Sequence, residues 1–117
     1  MVKRPSNLKR VVVELKFNDQ LYTELEVDLE HINRGKELKS LRSSFTLATT
    51  TKIISFALEG IFLEPVNTSE FANTICEYYV KIFVWKGQKM RIVFCICNDE
   101  PATIGIITLF REKKSGI

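Results

Sequence analysis

Two segments near the N-terminus alternate between apolar and charged residues, and that period of two restricts the fold more than any other feature of the chain. In 10–17, Val11, Val13, Leu15 and Phe17 fall on one side, with Glu14 and Lys16 on the other. In 22–30, Leu25, Val27 and Leu29 alternate with Glu24, Glu26, Asp28 and Glu30. Successive side chains of a strand point to opposite faces, so each segment predicts a half-exposed strand. Asn18-Asp19-Gln20 between them has turn chemistry, and the pair predicts a β-hairpin. Continued by one step, the alternation carries His31 onto the inward face behind Leu29.

The second half of the chain is also rich in β-formers. Segment 76–86 holds Tyr78, Tyr79, Val80, Ile82, Phe83, Val84 and Trp85, and 90–97 and 103–112 continue the pattern. Lys86-Gly87-Gln88-Lys89 predicts a hairpin turn, with Gly87 free to take positive φ. Thr49-Thr50-Thr51 offers N-caps for a helix running to about Gly60, with Ile53, Phe56, Ala57 and Ile61 at helical spacing. Segment 65–73 reads as irregular, and 36–42 as either a helical turn or an ordered loop. The expectation is an α+β fold with an N-terminal β-hairpin, one main helix and a C-terminal three-stranded antiparallel meander forming one sheet core. The late strands are apolar on both faces, so each face needs a cover, and the helix supplies one.

Composition sets outer limits. The 117 residues, 45% hydrophobic and 26% charged, suit a single domain over 1–117, with the basic segment 1–9 expected to be flexible. No run approaches the roughly 18 apolar residues of a membrane span, so no membrane partner is expected. The three cysteines are Cys76, Cys95 and Cys97. Residues i and i+2 of a strand do not bridge easily, so the thiols read as free and buried, and the compartment as a reducing cytoplasm. His31 is the only histidine and no further ligand pair stands at zinc spacing, so no metal or other cofactor is expected.

A net charge of +3, from 17 Lys+Arg against 14 Asp+Glu, does not argue for nucleic acid by itself. Its distribution carries more. Arg34, Lys36, Lys39 and Arg42 follow His31 with only Glu37 against them, while acidic residues concentrate at 14–30 and 59–77. Cleavage of RNA without a metal needs a base for the 2′-hydroxyl, an acid for the leaving oxygen and cations for the phosphate. His31 titrates near neutrality and serves as either acid or base, and Arg34, Lys36 and Arg42 supply phosphate contacts. Thr108 and Arg111 join them if the last strand ends beside the hairpin. Strict alternation sets those two on opposite faces unless a bulge re-aims one. Lys89 and Arg91 read as surface charge, and Tyr79 or Trp85, if exposed, offers a base-stacking ring.

With His31-x-x-Arg34-Gly35, then a helix, then a meander closing on Ile104-Gly105-Ile106-Ile107-Thr108-Leu109-Phe110-Arg111, the chain resembles the small bacterial toxin ribonucleases of the RelE/ParE, barnase, EndoU and colicin superfamily over about 28–112. The resemblance implies a metal-independent endoribonuclease toxin neutralised by an antitoxin or immunity protein. It implies His31 as general acid/base, with Arg34, Lys36 and Arg42 as phosphate ligands and Thr108 as the late polar residue. The resulting assignment is His31, Arg34 and Thr108 for catalysis and Lys36, Arg42 and Arg111 for substrate binding. The alternative expectation is a non-catalytic module that binds a protein partner or nucleic acid.

Overall fold

A computed structural model describes residues 8–29, 32 and 46–112. Its elements are β1 (Lys9–Phe17), β2 (Gln20–Val27), α1 (Leu47–Leu58), β3 (Asn67–Phe71), β4 (Thr74–Trp85), β5 (Gln88–Cys97) and β6 (Thr103–Arg111). The class is α+β, mostly strand, in one six-stranded mixed sheet of order β1-β2-β6-β5-β4-β3. Residues 1–7 of the basic N-terminal segment and the 36–42 turn lie outside the described residues, while Lys9 already belongs to β1.

Three hairpins are closed by two-residue loops with positive φ at both positions, Asn18-Asp19, Ala72-Asn73 and Lys86-Gly87. That is the turn whose twist matches the strands it joins. The first and third carry recognisable turn residues. The second carries only Asn73, and the strand before it, Asn67–Phe71, is exposed along its whole length and polar up to Phe71. Segment 65–73 is therefore not all irregular: most of it is the edge strand β3, and the meander has four strands rather than three. Pairing with β4 makes this strand, since its own residues show no inward face.

Between β2 and β6 the pairing is parallel, Val27 standing beside Ile106, whereas every other neighbouring pair is antiparallel. The crossover from β2 through α1 and the meander makes this possible, because a parallel neighbour needs a long return path. Helix α1 starts earlier than Thr49. Thr46 is the cap, its Oγ1 accepting from Thr49 N at 3.1 Å, and Thr49–Thr51 lie in the first turn. The buried stripe is Thr50, Ile53, Ile54, Ala57 and Leu58, so Phe56 is not a core position but stands 59% exposed. Beyond the helix Ile61 makes a β-bridge to Phe17.

On the helix side, Phe17 of β1 meets Phe94 of β5 and Tyr79 of β4 at 5.3 Å between ring centroids, and Tyr79 stacks on Phe94 at 5.1 Å. Strands that far apart in sheet order touch only because the sheet curls strongly about this face. Leu15, Leu25, Val27, Ile92, Ile104 and Leu109 complete a fully buried core against α1. The opposite face is not covered in the same way: Val12, Ile82 and Val84 on it are exposed.

Cys76 and Cys97 stand directly opposite in the β4–β5 register, with Cα atoms 4.0 Å apart, and are joined as a disulfide that does not include Cys95. Expecting three free thiols considered only neighbours within one strand. Across a ladder, facing positions bring Cβ atoms within bridging range. Among the described residues, no helix is long and apolar enough to cross a membrane.

Candidate functional site

The two ends of the curled sheet differ in charge. Toward the end where β6 finishes, the β4–β5 turn carries Lys86, Lys89 follows in β5, Arg91 and Arg111 stand opposite Phe110 and Met90, and Lys9 of β1 pairs with Val27. Lys86 lies over the Trp85 ring, 5.5 Å from its centroid. Arg91 Nε donates to Glu112 at 2.6 Å, a contact that holds the end of β6 against β5. The parallel β2–β6 pairing means that β2 runs toward this end, its last residue Val27 standing beside Ile106. Just past β2, Ile32 N donates to Asp28 O at 3.1 Å and Ile32 is buried.

His31, Arg34, Lys36 and Arg42 lie outside the described residues. The two remaining sequence-derived positions are described. Thr108 pairs with Val93 on the face away from α1, and Arg111 pairs with Met90, whose side chain is in the core. The two therefore belong to opposite faces. A register shift does occur in β6, between the Phe94–Ile106 and Val93–Thr108 pairs, but it falls at Ile107. It lies before Thr108, so it re-aims neither residue relative to the other. The carbonyl and amide row of β6 runs alongside the β2 exit, which puts Thr108 near that exit along the strand.

The opposite end holds a cleft of about 370 Å³ that the sequence reading missed. It opens on the helix side, where the curl brings Asn18, Gln20 and Tyr22 of the first hairpin against Ile75, Glu77 and Tyr79 of β4. Ile96 and Pro101 add apolar wall. Tyr79 Oη donates to Glu77 Oε1 at 3.4 Å. Burial, and then the charge of Glu77, push both tyrosines above their usual pKa, because each disfavours a phenolate. Two amides at the rim are already occupied: Asn18 exchanges two hydrogen bonds with the Leu63 backbone, and Asn98 Oδ1 accepts from Ile75 N at 3.0 Å. The disulfide ties β4 to β5 at the same edge. No local motif signals this cleft, since its walls lie more than fifty residues apart and meet only through the curl.

On the uncovered face, Arg10 joins Glu24 and Glu26 at 2.6 Å and Glu100 at 3.0 Å. Hydrogen bonds to Glu100 and Glu24 raise its pKa further, and the group ties β1 and β2 to the β5–β6 connection. This is a partnered, exposed network. Among the described residues no three His, Cys, Asp or Glu side chains gather as a metal site. Comparison of the chain with protein-family profiles, with curated proteins and with solved structures finds no match to any of them.

Proposed function

We propose that the protein is a metal-independent endoribonuclease of a toxin–antitoxin or toxin–immunity pair, working on the side of the sheet toward which the parallel strands β2 and β6 both run. The observation that supports this most is the parallel β2–β6 pairing, in which Val27 stands beside Ile106. It sends β2, whose last residue Val27 is level with Lys9 and Ile106, toward the end that carries Lys86, Lys89, Arg91 and Arg111. In this reading His31 takes the proton of a ribose 2′-hydroxyl, or returns one to the leaving 5′-oxygen. The 2′-oxygen forms a bond to phosphorus as the 5′-oxygen bond breaks, and a cyclic phosphate results. Arg34 and Thr108 contact the reacting phosphate, while Lys36, Arg42 and Arg111 hold the strand by its phosphates. The substrate and the cognate partner place the activity in the cytoplasm, where the Cys76–Cys97 bond would meet a reducing pool.

Cleavage of a mixed RNA substrate in the presence of a chelator tests the reading with wild type, His31→Ala and Arg34→Ala. Activity unchanged in both variants removes the assignment, and activity abolished by the chelator removes its metal independence. A second reading, a partner-binding module without chemistry, draws on the exposed Val12, Ile82 and Val84 on the face away from α1. A defined heteromeric complex from a protein that cleaves no RNA favours it.

A further inference from the structure

We infer that the cleft between Tyr22, Glu77 and Tyr79 is a binding site for an ammonium or guanidinium group carried on an aliphatic stem. The argument rests on which polar groups are left to meet a ligand. Asn18 is spent on the Leu63 backbone, and the Asn98 side-chain oxygen on Ile75 N. Lining the space are Glu77, Tyr79, whose hydroxyl donates to Glu77, Tyr22 and Gln20. This set is rich in acceptors and carries negative charge. Neither Lys16, which pairs with Asp19 at 3.7 Å, nor Arg10, which pairs with Glu24, Glu26 and Glu100, neutralises it.

A ligand complementary to such a set offers several N–H donors and a positive charge, as ammonium and guanidinium do. The remaining wall, Ile75, Ile96 and Pro101, is apolar and suits a short run of methylenes. A volume of about 370 Å³ lies at the small end of the roughly 300–1,000 Å³ of ligand pockets, which fits one side-chain-sized guest. An anion is excluded by Glu77. Burial of both tyrosine rings, each 4% exposed, gives the site a rigid floor that needs no ordering on binding. The chemistry is that of a lysine or arginine side chain of a partner, or of a free alkylamine or alkylguanidine. This site lies at the other end of the sheet from the proposed RNA site and stands independently of it.

Titration of the full chain, followed by NMR of the Tyr22 and Tyr79 rings, tests the inference with four probes. These are n-butylammonium, n-butylguanidinium, a terminally blocked arginine dipeptide and n-butanol as the uncharged isostere. The charged probes are expected to shift both rings with saturation, and n-butanol to bind at least about tenfold more weakly. Tighter binding of the dipeptide than of n-butylguanidinium assigns the site to a protein partner, and the reverse assigns it to a free cation. Glu77→Gln, an exposed position with little part in folding, is expected to lower affinity for the charged probes about tenfold, and Tyr22→Phe by less. Equal binding of n-butanol and n-butylammonium, or unchanged affinity in Glu77→Gln, overturns the assignment. RNA cleavage by Glu77→Gln is expected to equal wild type, so loss of the ribonuclease reading leaves this result readable.

Discussion

On the side toward which β2 and β6 run, the strands and turns carry Lys9, Lys86, Lys89, Arg91 and Arg111, with Asp28 and Glu112 among them. At the other end stand Asp19, Glu70, Glu77, Asp99 and Glu100, with Lys16 beside Asp19 and Arg10 reaching Glu100 as basic exceptions. Along the chain these residues are interleaved: Glu77 is followed by Lys86, and Arg91 by Asp99. An antiparallel meander sends alternate turns to opposite ends, so residues about ten apart are sorted by sign without any long charged block. The difference teaches that this protein's electrostatic polarity is a property of topology. A basic end favours polyanions and an acidic cleft favours cations, so the two ends suit different partners.

The sharpest way to break that comparison is to damage each end separately. His31→Ala is expected to lower RNA cleavage by about 10²–10⁴-fold while Glu77→Gln leaves it unchanged, measured as initial rates on one labelled substrate. Equal losses from both would mean that the ends do not act apart. Packing gives the next contrast. Phe17→Ala removes the ring on which Tyr22, Tyr79 and Phe94 converge and is expected to cost about 3–5 kcal/mol, read by denaturant unfolding. Val84→Ala, on the open face at the basic end and 58% exposed, is expected to cost well under about 1 kcal/mol.

The disulfide supplies a third, smaller effect confined to the acidic end. It links residues 21 apart, and its removal in Cys76→Ser/Cys97→Ser is expected to cost about 2–3 kcal/mol. Amide exchange should quicken at 75–77 and 96–98 and not at 88–91. Thiol counting on the unfolded, unreduced protein is expected to find Cys95 alone.

Tyrosine titration is the mildest probe. Folding raises the Tyr22 and Tyr79 pKa values, so the folded chain holds these protons more tightly than the unfolded one. The corresponding stability is fully present below tyrosine's ordinary pKa of about 10 and is lost as pH rises through the folded values. Glu77→Gln leaves burial in place but removes the Glu77 charge that also raises both rings. It is expected to lower both pKa values and soften the alkaline loss, as followed by tyrosinate absorbance. Unchanged titration would separate Glu77 from the rings.

Much of the architecture was legible because period and turn chemistry are local. Val11 to Phe17 and Leu25 to Val27 declare an inward face, and Asn18-Asp19 and Lys86-Gly87 declare turns, so these elements needed no tertiary knowledge. The edge strand β3 was not legible, since Asn67–Phe71 has neither alternation nor an apolar face and becomes a strand only by pairing with β4. Phe56 was misread for a related reason: helical spacing names two adjacent stripes, and packing chose the one through Ile54 and Leu58. Of the candidate site, the sequence by itself determined the basic segment after His31 and the opposite faces of Thr108 and Arg111. Only the tertiary structure decided that β6 lies parallel to β2, that Cys76 faces Cys97, and that Tyr22 and Glu77 line one cleft. Each of these depends on which strands become neighbours and how far the sheet curls. That choice is made by long-range burial of rings such as Phe17 and Phe94, which no local pattern encodes.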